Sequence, residues 1–390
     1  MRWYTPAVGI LYISLCVFAV LALITHIAGF YQASHLLELG DRDDPEPDEW
    51  PTLSVVIPAC NEGETIEAAL SSLMGVDYPN LEIIVINDRS TDDTGAILDR
   101  LAATDPTVQA VHIETLPEKW LGKLHAVHVG TEASTSDFIL YCDSDVHFEE
   151  DSLKKAMAWM MNDRLDFLSL MPRMVANSTF LFALVQTFGG LWCVATRPGG
   201  INQDKPNCFG GIGAFNMVRR EALEQTEGWP WLKMEIADDA GLGYLLHRHG
   251  FKARIGIAVN HLSLEWYPSA WAMVLGLEKN AFAAICRFSI FRSLVIVGMF
   301  SMYTLAPWIL LATPYYWLGI ACFSFYILCG WLGPEMGISW LQKVLASQLN
   351  IVVAFALLRS TIKTVARGSV DWRGTEYSIP ELRAEQRVKF

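Results

Sequence analysis

Residues 7–30, AVGILYISLCVFAVLALITHIAGF, contain no Asp, Glu, Lys or Arg. A charge-free run of that length crosses a bilayer as a helix, the one single-segment structure that pairs its own backbone groups away from water. The run is long and no small-x-small cleavage site follows it, so an uncleaved anchor over 1–32 is expected rather than a signal peptide. Two further charge-free runs, 293–313 and 314–333, read as a helical hairpin divided near Pro314. Segment 343–360 holds Lys343, Gln348 and Asn350 and is expected to lie in the interface or re-enter. The basic tail, with Arg359, Lys363, Arg367, Arg373, Arg383, Arg387 and Lys389, favours the cytoplasmic side. The expectation is a multi-pass membrane protein whose middle region and tail (361–390) face the cytoplasm.

Between the apolar ends the chain is acidic. The net charge of −13 argues against nucleic-acid binding, which needs cations to displace counterions from phosphate. Residues 41–51, DRDDPEPDEWP, read as part of an acidic linker over 33–51. The eight cysteines are scattered, without Cys-x-x-Cys or zinc spacing, as in buried thiols of a reducing compartment.

From 52 to 262 short apolar runs alternate with helical stretches. LSVVIPA (53–59), LEIIVIND (81–88), VQAVHIE and DFILYCD read as buried strands, and ETIEAALSSLM (64–74) as a helix. Strands separated by helices imply parallel crossovers, hence an α/β doubly wound sheet with ligands beyond the C-terminal ends of its strands. Residues 263–292 follow as interfacial helices rich in Trp, Phe and Ala, and 293–360 as the C-terminal membrane region.

Three strand ends carry polar groups: Asn61 and Glu62, then Asp88, then Asp143 and Asp145. Asp143 and Asp145 suit a solvated turn, a site for a hard divalent cation, or one catalytic acid. Asp88 suits a base or ribose contact, or an ordinary Asn-Asp turn. Lys123, after a glycine at a helix start, suits a diphosphate, or is a solvated lysine. Asp238 and Asp239 open a helix, where the dipole favours acids, and one of them also suits a general base. The glycines in CFGGIGAFNMVRREAL (208–223) allow close backbone approach, to a ligand or within a tight hairpin.

Taken in order, VVIPACNE, IVINDRSTDDT, GKLHAVHVG, YCDSD, GGIGAFNMVRREAL and ADD resemble family 2 glycosyltransferases, inverting enzymes of the GT-A fold. The resemblance covers about 52–260. The flanking membrane segments and the closing VDWRGTEY (370–377) resemble the lipid-modifying branch: hopanoid-associated, carotenoid and ceramide glycosyltransferases. It implies that Asp88 contacts the nucleotide, with Ala59 and Glu62 nearby, and that Asp143 and Asp145 hold Mg2+ or Mn2+, Asp145 more directly. It also implies that Asp239 is the base, in a motif that reads Ala237-Asp238-Asp239 here instead of Thr-Glu-Asp. The implied reaction is inverting, metal-assisted transfer of one sugar from a nucleotide sugar, UDP-linked, to a lipid acceptor at a bacterial inner membrane. A polyprenyl-phosphate sugar synthase is the nearest other activity, and a non-catalytic sugar-nucleotide-binding partner protein the alternative from another class. WAMVLGLEKNAFAAICRF (271–288) lacks the Arg-Trp pair of processive relatives. Lys279 is the cation there that suits a diphosphate.

Overall fold

The computed structural model describes residues 6–332 and 339–389 and divides into two compact units. One combines Leu36–Val175, Arg197–Glu265 and the C-terminal stretch from Arg373. The other combines the N-terminal helix, Ala176–Thr196 and Trp266–Trp372.

The first unit is built on a mixed sheet. Its strands are β1 (Leu37–Glu38), β2 (Leu53–Ala59), β3 (Leu81–Asp88), β4 (Val108–Ile113), β5 (Phe138–Tyr141), β6 (Val146–Phe148), β7 (Phe167–Met174), β8 (Asn216–Arg219) and β9 (Ala253–Leu264). Their order is β1-β9-β7-β8-β5-β2-β3-β4, with β6 paired to β9. The expected parallel core is present: β2 pairs in parallel with β3 and β5, and β3 with β4. Val55, Val56, Ile83, Ile84, Ile139 and Leu140 are fully buried, as strands covered on both faces require. Helices Ile66–Met74, Thr94–Thr104 and Gly122–Ala133 make the crossovers.

Two features differ from an all-parallel doubly wound sheet. β8 runs antiparallel to both β5 and β7, because the glycine-rich turn before it reverses the chain. The acidic segment 33–51 is not merely a linker: β1 adds in parallel to β9. Just beyond, Arg42 binds Asp44 and Asp163 and stacks over Trp159, 4.5 Å from the ring centroid.

The second unit is helical. Helices Pro6–Ala33, Ile290–Leu311 and Tyr316–Leu332 share a core of Leu15, Ala19, Ala306, Leu310, Leu318 and Cys322. Ile10, Ile13 and Ile24 on the first of them are exposed, an arrangement suited to lipid rather than water. Among the described residues three helices are long and apolar enough to cross a membrane: Ala7–Ala33, Thr179–Thr196 and Ile290–Leu311. The second is a correction. Residues 176–196 fall inside the span read as sheet domain, yet they pack in the helical unit. Their two central glycines, Gln186 and length of only 18 residues hid the signal. Within the run 314–333, Tyr316–Leu332 is a shorter apolar helix. In place of one helix over 343–360, Trp340–Ala346 and Asn350–Arg367 meet at a 46° bend.

The basic tail, expected on the cytoplasmic side, is folded: Thr375–Ser378 is a strand, Ile379–Glu385 a helix, and Leu382 and Val388 are buried.

Candidate active site

Because β2, β3 and β5 are parallel, their C-terminal ends lie along one edge of the sheet. Ala59 stands opposite Asn87 in register and is buried, so its contribution there is backbone. The two strands then leave the sheet through left-handed residues, Asn61 (φ 56°) and Arg89 (φ 55°). Such backbone is uncommon outside glycine and needs surrounding support. The support is mutual. Asn61 N donates to Ser90 Oγ (3.0 Å) and Asn61 Oδ1 accepts from Thr91 N (2.8 Å). Glu62 N and Gly63 N donate to Thr94 Oγ1 and Asp92 Oδ2.

Asp88 closes β3 and is 4% exposed, a costly place for a bare carboxylate. Arg89 offsets that cost through a two-pronged pair, Nε to Oδ1 at 2.7 Å and Nη2 to Oδ2 at 3.1 Å. The start of helix Gly122–Ala133 presses on this pair. A Cβ on Gly122 would lie 2.3 Å from Asp88 Oδ2 and 2.8 Å from Arg89 Nη2, so any side chain there would push the pair aside. The Gly122 N–H donates to Tyr377 Oη at 3.1 Å, so that helix-terminal amide is already engaged.

Lys123 follows and is not a solvated lysine. Its Nζ lies 2.8 Å from both Asp143 Oδ1 and Asp238 Oδ2. It joins the acidic pair after β5 to the acids that open helix Asp238–Arg248, groups far apart in sequence. The two carboxylates outweigh partial desolvation and hold the ammonium well above its usual range. Asp145 is also raised, but toward its neutral form: desolvation first, then Asp143 and Glu62, lift it to about 7. Among the described residues no three His, Cys, Asp or Glu side chains group to hold a metal ion. Asp143 and Asp145 offer two carboxylates, the hard-oxygen donor type that divalent cations take.

Asp239 is raised to about 7 by desolvation and by Asp238, with Lys123 and the Ala240 amide opposing. A carboxylate tuned there exchanges protons near neutral pH. The glycine-rich turn sets its position. A Cβ on Gly211 would stand 2.3 Å from the Asp239 carbonyl oxygen, and Gly213 O accepts the Asp143 amide at 3.1 Å. The close approach those glycines permit is thus to the protein's own acidic segments. Glu235, fully buried three residues before Asp238, accepts the amides of Ala237, Arg387 and Val388.

The sheet edge thus gathers Ala59, Glu62, Asp88, Lys123, Asp143, Asp145, Asp238 and Asp239. Lys279 lies on helix Ala270–Asn280 of the helical unit; its side chain lies outside the described residues. The sequence reading missed Arg89, Glu235, Arg373 and Tyr377. Arg89, Arg373 and Tyr377 lie inside motifs it quoted, but only the fold shows what they touch.

Residues 54–226 match the family model described as Glycosyl transferase family 2. A probable glycosyltransferase, YdaM, of Bacillus subtilis (strain 168) is 28% identical over 240 residues, covering 57% of this chain and 52% of its own length. The poly-beta-1,6-N-acetyl-D-glucosamine synthase of Staphylococcus aureus (strain COL) is 22% identical over 223 residues, 55% of this chain and 50% of that protein. The chain thus spans about half the length of the curated relatives it matches. Among solved structures, the mannosyltransferase PcManGT from Pyrobaculum calidifontis, in complex with GDP-Man and Mn2+, shares the fold. Its TM-score is 0.54 at 18% identity, covering 90% of this chain and 99% of that one.

Proposed function

For a chain that carries a glycosyl transferase family 2 domain at residues 54–226, we propose that it transfers a single sugar from a nucleotide sugar to a lipid in the membrane, with inversion at the anomeric carbon. The observation that carries this reading is the junction at Lys123, which draws Asp143, after β5, and Asp238, the first residue of helix Asp238–Arg248, around one cation. A donor diphosphate on one side and an acceptor hydroxyl on the other would meet across that short gap.

In this reading Asp88 and Arg89 face the nucleoside and Lys123 balances the diphosphate. Asp143 and Asp145 would hold Mg2+ or Mn2+, which when bound would stabilise negative charge on the leaving diphosphate. Asp239 accepts the proton of the acceptor hydroxyl as its oxygen bonds to the anomeric carbon. The bond from that carbon to the diphosphate oxygen breaks, and the nucleoside diphosphate departs with the electron pair. Attack in line with departure inverts the centre without a covalent glycosyl-enzyme, since the donor is already activated.

A lipid acceptor is supported by the three membrane-length helices and multi-pass anchoring by the same feature. The basic residues of the helix Asn350–Arg367 and beyond support a cytoplasmic catalytic unit. The donor is read as UDP-linked, although the solved neighbour holds GDP-Man.

The test is product formation by the full chain in lipid nanodiscs with UDP- and GDP-sugars, with Mn2+ or Mg2+ against a chelator. A labelled glycolipid that requires the metal is the expected result. Release of free sugar without glycolipid, when host lipids are supplied, would refute the lipid acceptor.

A further inference from the structure

The proposed transfer leaves the C-terminal segment without a role, yet that segment reaches the sheet edge at three points. Arg373 (φ 53°) and Gly374 (φ 78°) are consecutive left-handed residues, a tight reversal leading into strand Thr375–Ser378. Alternate residues then face the same way. Arg373 Nη1 donates to the Cys60 carbonyl at 3.1 Å, and its Nη2 pairs with Glu62. Thr375 Oγ1 accepts from Arg89 Nη1 at 3.5 Å. Tyr377 Oη accepts the Gly122 amide at 3.1 Å. The turn residue Arg373 and the strand residues Thr375 and Tyr377 thus visit the exits of β2 and β3 and the start of the Lys123 helix.

The charges at this edge are unevenly matched. Glu62, Asp88, Asp143, Asp145, Asp238 and Asp239 stand against Lys123, Arg89 and Arg373. Lys123 is held by two carboxylates and Arg89 by a two-pronged pair. Their side chains are 24% and 27% exposed, whereas that of Arg373 is 48% exposed. A planar guanidinium in that position can turn from Glu62 to a phosphate, which it binds through two parallel N–H donors. Glu62 is also one of the charges acting on Asp145, so Arg373 sits beside the carboxylates read as the metal and diphosphate site.

We propose that Arg373 is a donor-binding residue, brought to the sheet edge by the C-terminal segment, whose guanidinium takes a phosphate oxygen of the nucleoside diphosphate. Tyr377 is a positioning residue that holds the start of the Lys123 helix. The inference rests on the nucleotide-sugar reading above.

The experiment uses the full chain in nanodiscs with Mn2+, and UDP, GDP, uridine and guanosine as probes in calorimetry, beside donor kinetics. Loss of one charge-assisted contact predicts that Arg373→Ala weakens diphosphate binding and raises the donor KM by about ten-fold or more. Its melting temperature is expected to stay close to wild type. Arg373→Lys is expected to recover part of the affinity, and nucleoside binding to be unchanged. If Ala lowers the melting temperature, Arg373→Gln keeps side-chain length and a donor for Cys60 while removing the charge, and the same loss is expected. Unchanged diphosphate affinity, or equal losses for nucleoside and diphosphate, would overturn the role of Arg373 alone. Wild-type protein that binds neither UDP nor GDP would overturn the donor reading itself.

Discussion

Replacing Asp239 by Asn tests whether this carboxylate is held against its own preference for a task. Its pKa rises from 3.8 to about 7, which corresponds to a ceiling of about 4 kcal/mol against the ionised folded state. Asp239 keeps some contact with water, so a gain of roughly 2 kcal/mol is expected for Asn at pH 8. That is a rise of roughly 4–8 °C in melting temperature for a domain of this size. The pH dependence follows from linkage. Below about 4 the Asp is protonated in folded and unfolded chains alike and resembles Asn. Between about 4 and 7 only the unfolded chain ionises, so wild-type stability falls as pH rises and the advantage of Asn grows; above 7 it levels off. Thermal unfolding of both proteins at pH 5 and pH 8 measures this, beside transfer assays across the same range. Wild-type transfer should rise with pH through about 7, and the variant should lose it by about 10²-fold or more. A less stable Asn variant, or a stability difference that ignores pH, would refute the account of Asp239 as a destabilised acid. Full activity in the variant would refute its role as base.

Lys123→Met removes the cation between Asp143 and Asp238 and leaves two close carboxylates without the counter-charge they share. Activity is expected to fall by about 10²-fold, with a loss of a few kcal/mol in thermal stability that is smaller at low pH. Gly122→Ala sets a methyl against Asp88 and Arg89; nucleotide affinity should drop and stability fall by about 1–3 kcal/mol, read by calorimetry and thermal unfolding. Asp145→Asn should abolish the effect of Mn2+ on nucleoside diphosphate binding, so that variant and chelated wild type behave alike in titration.

The sequence alone determined what depends on local pattern. Val55, Ile84 and Leu140 lie in short continuous apolar runs because parallel strands bury both faces, and those runs named β2, β3 and β5. Charge-free stretches at 7–30 and 293–313 named two membrane-length helices, because a bilayer requires apolar side chains and a backbone that pairs its own polar groups within one segment. The acids at 88, 143, 145 and 239 were legible as strand-end or helix-start groups. What they meet was not. Lys123 stands between Asp143 and Asp238, which are 95 residues apart in the chain, and only the packing of the glycine-rich turn against both segments brings them together. The helix Thr179–Thr196 was hidden inside the sheet domain because its glycines and Gln186 dilute a local hydropathy signal. Arg373 and Tyr377 read as tail, since nothing in their neighbours records that a left-handed turn aims them at Glu62 and Gly122. Local periodicity reports which face of an element is apolar; it carries no information on which distant element that face or that charge will meet. The strands and carriers of charge were therefore set by sequence, and the pairings that perturb Lys123, Asp145 and Asp239 were decided by the tertiary fold.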